Sequence, residues 1–230
     1  MEATVDGLKE LFRDVIKSEF GPMKPVLCKF ALELVDSVPD YFWTEAASSS
    51  GLHHPAFGLG EGGLARHSLM TYRWLKILME ANEQDLSEFM PGMVLAALFH
   101  DCCKRGMPDD TNHEHTKFEH PFFSAKFVLD NAEKFAKNNK DFMDKTVEDE
   151  DIFKKDIAVA VSAIETHMGR WNTSKDSQVE LPKPKTAIQY MVHLADYIAS
   201  RKCTTWDVAF DQDEDEGRCL QWNRCLAVNP

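Results

Sequence analysis

Leu95-Ala96-Ala97-Leu98-Phe99-His100-Asp101-Cys102-Cys103-Lys104 is the stretch on which the fold and the chemistry of this chain turn. An apolar run leads straight into an adjacent histidine and aspartate, and a lysine follows three residues after the aspartate. Apolar neighbours strip water from His100 and Asp101, which is costly for a carboxylate unless something compensates. A divalent cation held by both side chains would do so. A single His-Asp dipeptide arises often by chance, so its weight depends on ligands elsewhere in the chain.

Working outward, the dominant pattern is helical. The stretch itself reads as a helix over 92–104 that carries His100 and Asp101. Upstream, residues 64–82 place His67, Met70, Trp74, Leu75 and Leu78 on one face, so His67 points inward with the hydrophobes. Downstream, Glu119-His120-Pro121 opens a helix running to about 137, with proline in its first turn and His120 at its entrance. Residues 153–168 bury Ile157, Ala160 and Ile164 with His167 in phase, and Gly169 is placed to close that helix. Residues 186–202 bury Ile188, Val192 and Ala199, and Asp196 shares their face, where an aspartate needs a partner.

Two more amphipathic segments, 4–20 and 26–37, read as scaffold, stopped by Gly21-Pro22 and Pro39. Between scaffold and motifs lies a long loop, 44–63, with Gly58, Gly60, Gly62 and Gly63. Its glycines fit neither the dinucleotide fingerprint nor the P-loop. It is either a plain connection or a lid or phosphate cradle, since glycine permits close backbone approach. His113 and His115 fall in a polar loop, 138–151 is a charged linker, 172–185 is loop, and the tail 203–230 is irregular. No run of strand alternation and no internal repeat is present. The fold class is all-α.

Composition narrows the functions. At 230 residues the chain reads as one domain, 1–230, and no apolar segment approaches membrane-spanning length. The start, Met1 to Asp6, lacks the basic and apolar regions of a signal peptide. Six cysteines form no CxxC pair, which argues against a zinc ribbon, and Cys102-Cys103 inside the apolar segment suggest reduced thiols and a cytoplasmic protein. A net charge of −12 disfavours nucleic acid as a partner. Much of the acid lies in 141–151 and 211–216, away from Arg66, Lys104, Arg170 and Arg201, so a small phosphorylated substrate remains compatible. Oligomeric state is not legible.

Three helices thus present a lone polar group on a buried face (His67, His167, Asp196), and a fourth supplies His100-Asp101. His120 completes a set of six. Imidazole and carboxylate together suit a divalent metal, with manganese, iron, cobalt, nickel, zinc and magnesium not distinguished, and carboxylates can bridge two ions.

The order His67 … His100-Asp101 … His120 … His167 … Asp196 resembles the HD-domain metal-dependent phosphohydrolase superfamily. The resemblance covers about 44–202, and 1–43 matches only as generic helical scaffold. More narrowly, Ala47-Ser48-Ser49-Ser50-Gly51, His54-Pro55, Leu59-Gly60-Glu61-Gly62-Gly63-Leu64 and Arg66-His67 resemble HD hydrolases common in phages and bacteria, as do Thr166-His167-Met168-Gly169-Arg170-Trp171 and 193–202. One departure is Cys102-Cys103, where a small residue and glycine are usual.

The resemblance implies an HD-domain-like helical bundle with a metal site at its centre. His67, His100, Asp101 and Asp196 stand where the first metal's ligands would be; His120 and His167 resemble the extra ligands of binuclear members, in which the aspartate of the pair bridges two ions. The implied activity is hydrolysis of a phosphoester of a small nucleotide-like substrate, with a metal-activated hydroxide as nucleophile. Asp101, Lys104 and His54 are the candidate catalytic residues, His54 as proton donor to the leaving group. Lys104, Arg66, Arg170 and Arg201 are candidates to grip phosphate, Trp171 either stacks a base or packs in the core, and His193 lies one turn before Asp196 as a supporting partner or a spare ligand. Two rivals stand beside this reading: an HD-fold di-iron oxygenase with the same six ligands, and a non-catalytic nucleotide-binding module.

Overall fold

The structure, a computed structural model, describes residues 4–48, 54–146, 148 and 150–201. Thr4 caps α1 (Val5–Glu19), its hydroxyl accepting from the Gly7 amide at 3.1 Å. The face predicted to be apolar, Leu8, Leu11, Phe12, Val15 and Ile16, is buried. α2 (Pro25–Ser37) has no side-chain cap of its own at Lys24. Glu148 supplies one from far along the chain: its Oε2 accepts from the amides of Val26 at 2.7 Å and Leu27 at 3.1 Å. A short α3 (Asp40–Thr44) follows, buried through Tyr41, Phe42 and Trp43. Phe12 meets Phe42, Trp43 and Phe99 edge-on, which joins this scaffold to the centre of the molecule.

The motif-bearing helices are α4 (Gly63–Glu80), α5 (Met90–Phe99) and α6 (His120–Asn138). After the short α7 (Lys140–Met143) come α8 (Glu150–Thr166) and α9 (Ala187–Ala199). α5 is the central rod: every residue from Gly92 to Phe99 is buried, and α4, α8 and α9 pack around it. A Cβ at Gly92 would lie 2.5 Å from the Asp156 carbonyl oxygen and 2.7 Å from Val159, so glycine is what lets α5 and α8 approach so closely. α9 lies along α4, and α6 along α8. One buried cluster runs from Leu8 on α1 to Ala195 on α9. Thr186 and Gln189 form a reciprocal capping box at the start of α9.

Among the described residues there are no strands, and no helix is long and apolar enough to cross a membrane. The all-α expectation holds, with three local corrections. The helix expected over 92–104 ends at Phe99. Beyond it the winding tightens: Cys102 donates to the Phe99 carbonyl, Lys104 to Asp101 and Gly106 to Cys103, each across three residues. The linker expected over 138–151 contains α7 and the first turn of α8. α9 is shorter than 186–202, with Thr186 as its cap. The expected tail and part of the glycine-loop segment, 49–53, lie outside the described residues.

Candidate metal centre

Five helices deliver six side chains to one point. His67 comes from the second turn of α4, His100 and Asp101 directly follow α5, and His120 is the first residue of α6. His167 follows the last residue of α8, and Asp196 belongs to the last turn of α9. The four histidines and Asp101 are buried, and the Asp196 side chain is 18% exposed.

Asp101 divides its two oxygens between two groups of histidines. Oδ2 lies 3.5 Å from His100 Nε2 and 3.7 Å from His67 Nε2; Oδ1 lies 3.1 Å from His120 Nε2 and 3.7 Å from His167 Nε2. Asp196 Oδ1 closes the first group at 3.0 Å from His67 Nε2 and 3.5 Å from His100 Nε2. Three overlapping triads have ligand atoms all within 4.8 Å of one another: His67-His100-Asp101, His100-His167-Asp196 and Asp101-His120-His167.

The backbone sets the tautomers. His100, His120 and His167 each direct Nδ1 at the carbonyl three residues earlier, of Ala97, Lys117 and Ile164, at 3.0, 2.7 and 2.7 Å. A carbonyl only accepts, so Nδ1 carries the proton, and in the neutral ring the Nε2 lone pair faces inward. Acceptors then meet acceptors. His120 Nε2 and His167 Nε2 stand 3.2 Å apart, while His100 Nε2 and Asp101 Oδ1 are buried with no hydrogen-bond partner. Leaving such atoms unsatisfied is costly, and a cation would reconcile them.

Charge states agree with that fit. Burial raises the Asp101 carboxyl, yet Lys104, His100 and His120 outweigh it and hold the group well below the ordinary carboxylate range. Asp196 is also held low, burial being overcome by His100 and His67. Burial pushes His67 down and takes His167 to about 3, with neighbouring histidines adding to the effect. His100 goes the other way: burial opposes its charge, but Asp101 and Asp196 prevail. Ionised carboxylates beside the neutral imidazoles of His67 and His167 are protonation states that metal binding requires.

The remaining candidates lie at different depths. Lys104 Nζ reaches Asp101 Oδ2 at 2.6 Å from the rim. His54 is brought to the group, its ring centre 5.1 Å from that of His67, and its Nδ1 is buried without a partner. Burial, His67 and Lys104 together lower His54 to about 3. Arg66 is buried, and its Nε, Nη1 and Nη2 donate to the carbonyls of Phe57, Glu61 and Leu59 at 2.6 to 2.7 Å, which ties the glycine loop to α4. Arg170 and Arg201 stand outside the ligand group, over the rings of Trp171 and Tyr197. His193 Nδ1 meets the His167 carbonyl at 2.6 Å, so it supports a ligand's backbone. His113 lies against Tyr41, and His115 is exposed.

Tyr197 was not singled out by the sequence reading. Its signal was a tyrosine directly after Asp196, on a flank of α9 that is not fully buried.

Comparison with known proteins places one family on this geometry: the HD domain model matches residues 64–201, which include all six ligand candidates. No curated protein and no solved structure matches the chain.

Proposed function

Because the chain belongs to the HD domain family, whose members are mostly metal-dependent phosphohydrolases, we propose that it hydrolyses a phosphoester of a small nucleotide-like substrate at a two-ion centre. The observation that carries this reading is Asp101, whose two oxygens each face a separate group of histidine nitrogens. One ion would be held by His67, His100, Asp101 and Asp196, and a second by Asp101, His120 and His167. Bound there, divalent ions supply Lewis acidity that turns water into hydroxide near neutral pH and offset charge on phosphate oxygens.

The chain's own groups do the rest. Asp101 and Asp196 stay ionised, and the backbone carbonyls of Ala97, Lys117 and Ile164 keep three imidazoles aimed inward. Lys104 places a fixed positive charge at the rim, where it favours the charge that develops on a phosphoryl group. His54, held neutral, must first take up a proton before it can give one to the leaving group. Arg66 serves as the clamp of the glycine loop, and Arg170 and Arg201 supply positive charge further out. We also place the protein in the cytoplasm as a single domain, a reading supported by the free thiols of Cys28, Cys102 and Cys103.

The test is a phosphate-release screen of nucleotides with added manganese, cobalt, nickel or magnesium, beside Asp101→Ala. Release that the substitution abolishes supports the proposal. Bound iron with oxygen consumption and no phosphate release would shift the reading to the oxygenase, since the same six ligands serve both. Tight nucleotide binding without turnover under any of these metals would shift it to the binding module.

A further inference from the structure

The segment after α8 and the end of α9 carry more than candidate ligands. Four residues after His167 comes Trp171, and directly after Asp196 comes Tyr197. Their rings stack with centres 5.1 Å apart and planes inclined by 22°. Arg170 lies 4.5 Å from the Trp171 ring centre and 5.9 Å from that of Tyr197; Arg201 lies 5.4 Å and 4.3 Å from the same two. Two like charges are therefore gathered around one aromatic pair. Among the described residues, Arg170 has no ion-pair partner, and its side chain is exposed. Trp171, a residue type usually much more buried, is 37% exposed.

This cluster is fastened to the metal centre through the backbone. Gly169, at φ +56°, lets the chain turn back against α9, and a Cβ there would fall 2.2 Å from the His193 ring. His193 in turn holds the His167 carbonyl. His167 and the aromatic pair are thus held to the same stretch of α9.

We propose that Trp171 and Tyr197, with Arg170 and Arg201, form a subsite that selects substrates with a planar aromatic group next to the phosphate, as in a nucleoside phosphate. The inference rests on the phosphohydrolase reading and assigns its specificity. A stacked, partly exposed ring pair presents a flat apolar surface to a base, and every base has a π-face to place on it. Guanidinium groups beside the rings add planes on which a base also stacks and positive charge toward phosphate.

The experiment uses the full-length, manganese-loaded protein and calorimetric titration. The probes are the methylenephosphonate analogues of the four common nucleoside 5′-monophosphates, which contain no ester to hydrolyse, and the same analogue of ribose 5-phosphate, which lacks a base. At least one nucleoside analogue is expected to bind about tenfold tighter than the ribose analogue. Trp171→Ala should erase most of that advantage and leave the ribose analogue unchanged, and Trp171→Phe should keep most of it. Binding of every nucleoside analogue no tighter than the ribose analogue would overturn the proposal, as would an advantage that survives Trp171→Ala. If the base advantage behaves as expected but no nucleotide is hydrolysed with any metal, the subsite stands and the phosphohydrolase reading falls. If phosphate is released and Trp171 has no influence on base preference, the subsite alone falls.

Discussion

At the scale of single residues, Asp101 is the pivot, because its two oxygens face two different groups of histidines. Replacing a neighbour should therefore have graded effects. His120→Ala removes a ligand from one group only, and metal content should fall from two ions per chain to one, read by elemental analysis. Lys104→Met removes charge without removing a ligand: metal content should hold while the rate of phosphate release drops by about 10²–10³-fold. Inward-facing His67, His167 and Asp196 were legible in sequence, because helical phase alone puts them among apolar residues. Arg66 was not legible as a clamp. Its partners are backbone carbonyls of a glycine loop, and no side-chain pattern reports them.

Among elements, the junction of α8 and α9 is tightly constrained. Gly169→Ala would put a methyl into the His193 ring at a backbone angle that L-residues avoid. A loss of about 1–3 kcal/mol in urea unfolding is expected, together with weaker metal affinity through His167. Glu148 at the start of α2 gives a pH-dependent test. Burial raises its carboxyl above the ordinary 4.5, an effect that the amides of Leu27 and Val26 and the Lys24 ammonium only partly offset. The folded state therefore holds this proton more tightly than the unfolded state does. The resulting stability is fully present below pH 4.5 and is lost as pH rises through the raised value. Glu148→Gln keeps an accepting oxygen for both amides and cannot titrate, so wild type should lose stability relative to this variant over that window in urea titrations at successive pH values. The long helices were readable from periodicity. α3 and α7, at five and four residues, are too short to show a period. The stop of α5 at Phe99 was hidden because bonds across three residues and across four suit the same apolar run.

For the molecule as a whole, the candidate centre is also a fastening, since one cluster of candidate ligands joins α4, α5, α6, α8 and α9. Ions that bind the folded chain alone should stabilise it by about 2.7 kcal/mol at a hundred times their dissociation constant. For a chain of this size that corresponds to a melting temperature about 5–10 °C higher, reversed by a chelator and restored on adding metal back. The helical architecture and its polar centre were open to sequence reasoning, because both follow from which faces are apolar. Substrate choice was less open. The proposed subsite depends on how Trp171, in the segment after α8, meets Tyr197 on α9, and that pairing has no period in the sequence. The most direct test of the central claim is the metal content of the purified protein beside Asp101→Ala. A bridged centre predicts close to two ions per wild-type chain and loss of both from the variant. Wild type without bound metal, or a variant that retains both ions, would contradict it.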